Sequence, residues 1–462
     1  MAGPYPRRDG RGNGKRGAPI ALPPPPAATM HGRMGRRLAS CADAAALVRP
    51  RDTVASGFVT GQATGILTAL GERTDLEDVT VHVGILARPY GFLQAPGVRV
   101  LSGFFGPIER LARQMGGRVE YVAADFHGLE QLLLAARPRV VLAPTSMPDA
   151  DGWMSFGLYA GASVRAFREA ARDPARIAVA EANPRMPRCL GLPEHGDHRI
   201  HVGEVDAWVE HDEAPTTLPT APPSPAEVAI ARQVLALIPA GATLQFGIGA
   251  IPDEVARLLA DGPHGDFGIH TEMFSDGLMA LQRAGRVSNA RKGLWDGVGV
   301  ATFALGSTEL YAWLDGNPAV RFLPVSATND VAAIRRLSRF VSVNGALAVD
   351  LHGQVAADHV GARQYSGVGG HETFVMGARE APGGASILCV QSTATVHGTR
   401  VSTIVPHLGD GALATTPRHQ VQWVVTEHGA RNLFGLGDRE RAAALIALAH
   451  PDFRDALRAA AS

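Results

Sequence analysis

The chain has 462 residues, of which 46% are hydrophobic and 19% are charged, and its formal net charge at pH 7 is +0. This length predicts two or three domains of a globular protein. The balanced charge argues against a general attraction to nucleic acid or to an acidic membrane, and the apolar runs are too short to span a bilayer.

Three cysteines, Cys41, Cys189 and Cys389, lie far apart in the sequence and form no C-x-x-C pair. This spacing predicts neither a disulfide framework nor a thiolate metal site. It is typical of a protein in the reducing cytoplasm, which is the localisation that we expect.

Residues 1–38 are basic and rich in proline, with Pro23–Pro26 in a row. Such a segment cannot bury a core, so the sequence predicts a disordered tail without the apolar stretch of a secretory signal. A basic arm, a transit peptide, or a start of the protein at Met30 or Met34 are the alternatives.

Residues 39–211 alternate between strand-like and helix-like patterns, which predicts a sheet covered by helices. The helices are expected at 66–70 and 108–115. The strands are expected at 53–59, 79–86, 98–101, 119–123, 140–143, 177–181 and 200–209.

Residues 212–226 contain five prolines and lack an apolar period, so we interpret them as a linker. Beyond the linker, residues 227–462 are expected to form a second α/β domain. It opens with a helix that is predicted from 226 to 238 and a strand at Thr243–Phe246. Both halves therefore begin with a strand, a glycine-rich turn and a helix, which favours two similar open α/β/α domains.

The turn Gly247-Ile248-Gly249 joins the Thr243–Phe246 strand to a helix in which Pro252 suits the first turn. Glycines at this place allow a ligand to approach the backbone, and the free N–H groups of the helix can bind an anion. A tight turn that serves only packing remains equally open, since glycine pairs are weak signals.

Glu272 falls in a loop between a short strand and a helix that begins near Leu278. Ligands of open α/β sheets gather at such loops. A fixed carboxylate beside a bound thioester can act as a nucleophile, although a solvated loop residue is the commoner reason for a glutamate there.

Several long motifs occur in one register: 247–252, 268–277, 344–354, 365–370, 425–427 and 447–454. Together they resemble the acetyl-CoA hydrolase/transferase family, whose members include 4-hydroxybutyrate, butyryl, succinyl and acetyl CoA-transferases. The first half resembles the family more loosely, best at 182–187 and 200–202.

The resemblance implies an acyl-CoA:carboxylate CoA-transferase that works by ping-pong transfer through a glutamyl-CoA thioester on Glu272. It implies that Gly369 and Gly370 supply N–H donors to the oxyanion. It also implies CoA or substrate contacts, which we expect from Gln245, Phe246, Gly247, Ile248, Gly249, Leu347, Gly370 and His371.

The expected partners are small molecules, acyl-CoA and short-chain carboxylates of the acetate and 4-hydroxybutyrate type. Coenzyme A is expected as a substrate, with no permanently bound cofactor and no metal. The resemblance also implies a homodimer or homotetramer.

The chain departs from the family pattern at six places. His371 stands where glutamine is usual, and Thr373 where aspartate is usual. Met376 stands where arginine is usual, and Ala385 where lysine is expected near CoA. Thr403 and His428 replace a common arginine and tyrosine.

Other functions remain open. An acyl-CoA hydrolase is the first alternative, because water could intercept either glutamyl intermediate. A non-catalytic CoA-binding paralogue is the second. A serine hydrolase is disfavoured because no G-x-S-x-G motif occurs, and the spaced histidines His195, His198 and His201 lack the frame of a metal site.

Overall fold

The computed structural model describes residues 35–219 and 221–461. Most of the predicted tail therefore lies outside the described residues. Its last part differs from the prediction, because Arg36–Arg37 forms a short strand that pairs with Ala207–Glu210.

The first half contains a sheet of eight strands, all parallel. In spatial order they are Arg36–Arg37, Ala207–Glu210, Ile177–Asn183, Val140–Ser146, Thr53–Phe58, Val79–Gly84, Val98–Ser102 and Val119–Tyr121. Its helices are Cys41–Ala45, Thr64–Gly71, Pro107–Gln114, Phe126–Ala136 and Ala162–Ala170. The central strands are almost wholly buried, which is why they are recognisable as continuous apolar runs.

The single strand predicted at 200–209 is wrong. The structure has a strand at Arg199–His201, a short turn of 3₁₀ helix at Val202–Glu204, and a second strand at Ala207–Glu210. His201 accepts a hydrogen bond from the N–H of Gly203, and Glu204 accepts one from the N–H of His201. These local bonds end the first strand because they use backbone donors that a continuous strand would offer to its neighbours.

The segment from 211 to 224 has no helix or strand among its described residues. The following helix begins at Pro225, earlier than predicted, and Ser224 caps it through a 3.3 Å bond from the N–H of Glu227. The segment contacts both halves. Glu213 accepts a 2.8 Å hydrogen bond from Thr64 of the first half, and Thr216 accepts a 2.6 Å hydrogen bond from the hydroxyl of Tyr311 in the second.

The second half contains a six-stranded sheet in the order Gly268–Ile269, Thr243–Phe246, Phe340–Gly345, Ala385–Cys389, Trp423–Thr426 and Gly429–Asn432. The first five strands are parallel, and the last pairs antiparallel. The helices of this half are Pro225–Leu235, Ala250–Asp261, Asp276–Arg283, Thr308–Leu314, Val325–Thr328, Val331–Ile334, His371–Glu380, Asp438–Leu448 and Arg454–Ala460.

Small ladders complete the fold. They pair Trp153–Ser155 with Arg199–His201, Met273–Phe274 with Phe303–Ala304, Gly299–Ala301 with Val320–Phe322, Ala348–Asp350 with Val355–Ala356 and Ile404–Val405, His359–Val360 with Arg363–Gln364, and Thr393–Val396 with Thr399–Ser402.

The two halves share buried side chains. Met273 and Phe303 of the second half pack in one apolar cluster with Phe126 and Tyr159 of the first half. The predicted α/β class with open parallel sheets is confirmed, and the contact between the halves brings the carboxyl edge of the second sheet against the first.

Candidate active site

Glu272 lies beyond the carboxyl end of the Gly268–Ile269 strand and before the Asp276–Arg283 helix. Its carbonyl oxygen accepts hydrogen bonds from the N–H groups of Thr302, at 3.0 Å, and Phe303, at 3.1 Å. These two bonds fix the backbone, so the side chain leaves the sheet edge from a defined point.

The Glu272 carboxylate is partly exposed and faces two hydrogen-bond donors. The side-chain amide of Asn329 donates to Oε2 at 2.6 Å, and the N–H of Gly370 faces the same carboxylate. Burial raises the pKa of Glu272 to about 7, Asn329 and Gly370 oppose that rise, and the charge of Asp125 adds to it. The group is therefore poised between its charged and neutral forms near neutral pH.

Gly369 and Gly370 form the turn before the His371–Glu380 helix. Gly369 has φ of +56°, a conformation that favours glycine. A Cβ at Gly370 would lie 2.1 Å from Oε2 of Glu272 and 2.3 Å from Nδ2 of Asn329, so no larger residue fits. The structure thus brings together Glu272, Gly369 and Gly370, the three residues that the sequence analysis expected to act in catalysis.

The first half holds this glycine turn in place. The N–H of Phe126 donates to the carbonyl of Gly369 at 2.9 Å, and Oδ2 of Asp125 accepts a 3.3 Å bond from Thr373. Asp125 also caps the Phe126–Ala136 helix through the N–H of Gly128. The position of the turn beside Glu272 therefore depends on contact between the two halves.

The Gln245–Gly249 stretch runs along the same sheet edge, next to Glu272. Gln245 and Phe246 are buried, and the Gln245 amide exchanges two 3.1 Å hydrogen bonds with Asn344. Thr271, the residue before Glu272, donates from its hydroxyl to the carbonyl of Phe246 at 3.4 Å. Gln245 and Phe246 thus support the edge from below, while the following turn faces outward.

A cavity of about 630 Å³ opens beside that turn. Its lining includes three of the residues expected to contact CoA, namely Ile248, Gly249 and Leu347. Gly249 has φ of +130° and open space around its Cα, and the Ala250–Asp261 helix begins directly after it. Because the first N–H groups of a helix have no partner within the helix, this end of the cavity can bind an anion.

The remaining wall of the cavity comes from the first turns of two helices, from the carboxyl ends of two strands and the residues that follow them, and from a hairpin. These residues are Glu227, Ala250, Ile251, Pro252, Val343, Asn344, Gly345, Ala346, Cys389, Val390, Gln391, Thr393, Ala394, Thr395, Arg400 and Thr403. Arg400 is the cationic side chain in this lining, and it also pairs with Asp452.

His371 begins the helix after the glycine turn and is not among the residues that line the cavity. Its Nε2 is hydrogen-bonded to Thr416 at 2.8 Å, and burial lowers the pKa of His371 to about 4. His371 is therefore neutral at pH 7 and acts as a polar neighbour of the site.

The other departures from the family pattern lie at different distances from the cavity. Ala385 is at the amino end of its strand, four residues from Cys389, so roughly 13 Å of strand separate it from the cavity edge. Thr403 is in the cavity wall and donates to the carbonyl of Gln391. Met376 lies within the His371–Glu380 helix, and His428 packs against His450.

The three spaced histidines serve separate local contacts. His198 is buried and hydrogen-bonded to the carbonyl of Gly157, and His201 is bonded to the carbonyl of Asp151. His195 lies against Trp295. Within residues 35–219 and 221–461, no group of three or more histidine, cysteine, aspartate or glutamate side chains is arranged to hold a metal ion. In the same ranges, no helix is both long and apolar enough to cross a membrane.

The sequence analysis missed Asn329, Asp125 and Phe104. Asn329 is fully buried and follows the four-residue Val325–Thr328 helix, where a Thr-Asn-Asp sequence reads as an ordinary turn. Asp125 carried a weak signal, because an aspartate before an apolar run is a preferred helix cap. Nothing in the sequence near Phe104 indicated that it lies beside the turn of Gly367 and Gly369.

Comparison with known proteins gives a consistent result. Residues 306–461 match the model of the acetyl-CoA hydrolase/transferase C-terminal domain. A probable butyrate:acetyl-CoA coenzyme A-transferase of Syntrophomonas wolfei is 34% identical over 91% of this chain and 94% of its own length. The 4-hydroxybutyrate coenzyme A transferase of Clostridium kluyveri is 39% identical over 74% and 77%.

Solved structures agree with these relatives. RipA from Yersinia pestis has a TM-score of 0.83 and 34% identity, with 92% of this chain and 96% of that chain covered. The 4-hydroxybutyrate CoA-transferase of Porphyromonas gingivalis has a TM-score of 0.73, 33% identity and the same coverage. A more distant relative, the acetyl-CoA hydrolase of Eremothecium gossypii, is 27% identical over 62% of this chain and 49% of its own length.

Proposed function

The chain belongs to the acetyl-CoA hydrolase/transferase family, and we propose that it is an acyl-CoA:carboxylate CoA-transferase with Glu272 as its covalent nucleophile. The observation that carries the proposal is the Glu272 carboxylate, held by Asn329 and Gly370 at the sheet edge that also forms the Ile248–Gly249 cavity. A carboxylate fixed next to a bound thioester gains the advantage of an intramolecular reaction, with effective molarities of ~10⁵ M or more.

The reaction begins when the ionised Glu272 attacks the carbonyl carbon of acyl-CoA. The carbon–sulfur bond breaks, which leaves an acyl-glutamyl anhydride and the CoA thiolate. The thiolate then attacks the glutamyl carbonyl of the anhydride, and the first acid departs as a carboxylate. The product on the enzyme is a glutamyl-CoA thioester.

A second carboxylate reverses these steps. It attacks the glutamyl thioester, displaces the CoA thiolate, and forms a new anhydride. The thiolate attacks the acyl carbonyl of that anhydride, which releases the new acyl-CoA and regenerates the Glu272 carboxylate. No net proton is consumed, so the cycle does not need a separate general acid or base.

Asn329 and Gly370 have a second role in these steps. Once Oε1 has formed the covalent bond, Oε2 becomes the carbonyl oxygen of the anhydride or thioester. Each attack on that carbonyl places negative charge on Oε2, which already accepts the Asn329 bond and belongs to the carboxylate that the N–H of Gly370 faces. One such donor contributes roughly 10²–10³ in rate. Gly369 sets the geometry of the turn and is the candidate for a further donor to the acyl oxygen.

Coenzyme A fits the cavity beside Gly249 as a substrate. Ile248, Gly249 and Leu347 would contact it directly, and Gln245, Phe246 and Gly247 would support that wall. Gly370 would border the thioester beside Glu272, with His371 as a polar neighbour. The helix start at Ala250 and the guanidinium of Arg400 suit the phosphate groups of CoA. This assignment needs neither a metal nor a resident cofactor.

The first experiment is analysis by mass spectrometry of acetyl-CoA incubated with the protein and with acetate-type acids, including propionate, butyrate and 4-hydroxybutyrate. A new acyl-CoA that forms only when its acid is present supports the transferase. Free CoA that forms at the same rate without any acid supports the hydrolase, which the relative from Eremothecium gossypii makes the second candidate.

The covalent intermediate needs its own test. Intact-mass analysis after incubation with acyl-CoA alone should show the protein plus one CoA less one water. Glu272→Gln should show no such adduct, and the wild type should lose it when a carboxylate is added. Retention of transfer activity in Glu272→Gln would overturn the assignment of Glu272 as the covalent nucleophile.

We further propose a cytoplasmic enzyme that forms a homodimer or homotetramer. Light scattering coupled to size-exclusion chromatography measures the oligomer directly, and a monomer at assay concentration contradicts the proposed assembly.

A further inference from the structure

Two hydrogen bonds join the segment that carries Glu272 to the segment that carries Asn329. The Asn329 amide donates to Oε2 of Glu272 at 2.6 Å. Two residues before Glu272, Nε2 of His270 is hydrogen-bonded at 2.8 Å to the carbonyl oxygen of Thr328. Because Thr328 immediately precedes Asn329, His270 holds the neighbour of the residue that holds the reacting carboxylate.

The His270 ring is neutral. It is fully buried, and burial together with the charge of Lys292 lowers the pKa of His270 to about 3. A neutral imidazole carries one proton, and a carbonyl oxygen accepts only from the protonated nitrogen, so Nε2 is the donor to Thr328. Within the described part of the chain, Nδ1 has no hydrogen-bond partner. The tautomer that protonates Nε2 therefore leaves no buried donor of this ring unpaired.

Two aromatic side chains fix the orientation of the His270 ring. Trp295 is stacked on it, with ring centroids 5.8 Å apart and an interplanar angle of 9°. Phe340 meets it edge to face, with centroids 5.9 Å apart and an angle of 80°. A rotation of the ring would disturb both contacts, so packing keeps Nε2 directed at the Thr328 carbonyl.

The segment that carries Asn329 has little regular structure of its own. Thr328 ends the four-residue Val325–Thr328 helix, and Asn329 follows with φ of −99° and ψ of 52°. A helix of this length is not stable alone, and its last carbonyls have no partner within the helix.

The peptide group between Thr328 and Asn329 is nevertheless held at both ends. Its carbonyl accepts the bond from His270, and its N–H donates to the carbonyl of Val325 at 2.8 Å. A peptide group is planar, so these two bonds fix its orientation. The Asn329 side chain therefore extends toward Glu272 from a defined point.

We propose that His270 is a positioning residue for the transfer reaction: its Nε2–H fixes the Thr328–Asn329 peptide group, so that the Asn329 amide stays within hydrogen-bond distance of Oε2 of Glu272. The inference rests on the proposed role of Glu272 as nucleophile. His270 takes up no proton during the cycle and acts through Asn329. The effect on rate is large because a displacement of about 1 Å in an active site can cost about 10²-fold.

The test replaces His270 by residues that carry or lack a donor at the position of Nε2. The amide of glutamine can reach that position, whereas the shorter asparagine reaches only the position of Nδ1. We expect His270→Asn to lower kcat by about 10- to 100-fold with little change in KM for acetyl-CoA, and His270→Gln to recover most of that loss. The midpoint of the acid limb should rise in His270→Asn and return in His270→Gln, because loss of the Asn329 bond raises the pKa of Glu272.

A double-mutant cycle separates this role from a general effect on the fold. If His270 acts through Asn329, adding His270→Asn to Asn329→Ala should lower kcat by much less than His270→Asn does alone. Independent effects would multiply, and a fold-loss equal to the product of the two single losses overturns the inference.

His198 provides a matched control. It is also buried, its Nε2 is bonded to the carbonyl of Gly157 at the same 2.8 Å, and its ring is stacked on Phe322. His198→Asn should lower the free energy of unfolding in urea but leave kcat and the acid limb unchanged. A loss of kcat as large as that of His270→Asn overturns the inference, because the effect would then be one of packing alone.

The outcomes also separate the inference from the function. A normal kcat and a normal acid limb in His270→Asn overturn the positioning role but retain the transferase. If His270→Asn does not fold, His270→Phe keeps an aromatic ring beside Trp295 and Phe340, lacks the donor, and is measured in its place. Transfer that persists in Glu272→Gln overturns the proposed function itself, and the inference falls with it.

Discussion

Asn329 donates a 2.6 Å hydrogen bond to Oε2 of Glu272, across 57 residues of sequence. The amide is fully buried, and its bond divides the carboxylate into a held oxygen and a reacting oxygen. This division is the feature from which the proposed mechanism follows.

Asn329→Ala should lower kcat by roughly 10²–10³, because the variant loses one of two donors to the developing oxyanion. It should also raise the pKa of Glu272 further, since a donor to a carboxylate favours its charged form. The acid limb of the rate profile should therefore move to higher pH. Asn317→Ala removes another side-chain amide bond, to Trp313, and serves as the control. A normal kcat in Asn329→Ala would show that this amide has no part in catalysis.

The wild-type rate should fall as pH falls through about 7, because only the ionised Glu272 is a nucleophile. With a pKa of about 7, roughly a tenth of the carboxylates are ionised at pH 6. A profile of kcat/KM between pH 5 and 9 measures this limb. A rate that stays constant down to pH 5 would mean that Glu272 titrates well below the expected range.

Asp125→Asn should move the same limb to lower pH, because the negative charge of Asp125 raises the pKa of Glu272. Asparagine is also a good helix cap, so the Phe126–Ala136 helix should stay intact. Asp43→Asn, which changes an exposed carboxylate in the first half, gives the matched control. The midpoint of the acid limb is the quantity to compare, and a shift to higher pH would reverse the expected sign.

Gly370→Ala should abolish transfer while the protein remains folded. Its methyl group would stand 2.1 Å from Oε2 of Glu272, so the carboxylate must leave its position. Gly265→Ala, where the added atom meets only ordinary contacts beyond 3.7 Å, is the control for the loss of a glycine. Circular dichroism verifies folding in both variants, and an active Gly370→Ala would contradict the proposed geometry.

The parts of the fold that the sequence predicted are those decided by local pattern. The six strands predicted before residue 190 are where the apolar runs indicated, with ends that differ by at most three residues. Such runs can be recognised in the sequence because parallel strands are buried on both faces and are therefore continuously apolar. The short strands Arg36–Arg37 and Trp153–Ser155 were not predicted. The family resemblance is confirmed by relatives that cover nearly the whole chain.

The parts that escaped prediction depend on contacts between distant segments. Asn329 reaches Glu272 only after the second half has folded, and Asp125 reaches the glycine turn only across the two halves. The sequence also could not show that Ala385, where lysine is expected, lies at the end of its strand that is farther from the cavity. Spacing along the chain carries no information about such distances.

Lys292 offers a prediction about stability. The chain has two lysines, Lys15 and Lys292, and the second is fully buried in the segment after Glu272. Its ammonium donates to the carbonyls of Ile269, at 3.2 Å, and Val298, so it joins the strand before Glu272 to the loop that leads to Gly299–Ala301. Burial lowers the pKa of Lys292 to about 7 from its ordinary 10.5.

Between pH 7 and 10.5, the unfolded chain therefore binds a proton at Lys292 that the folded protein does not bind. The contribution of this residue to the free energy of unfolding rises with pH across that window, by up to about 1.4 kcal/mol per pH unit. Lys292→Met lacks this dependence, so its stability relative to the wild type should be highest at pH 7 and should decline steadily toward pH 10. Urea unfolding of both proteins at pH 7, 8, 9 and 10 measures the difference. A stability difference that is constant over the four pH values would show that Lys292 keeps its ordinary pKa. If the stability of Lys292→Met relative to the wild type rose with pH, the folded protein would hold the proton more tightly than the unfolded chain does.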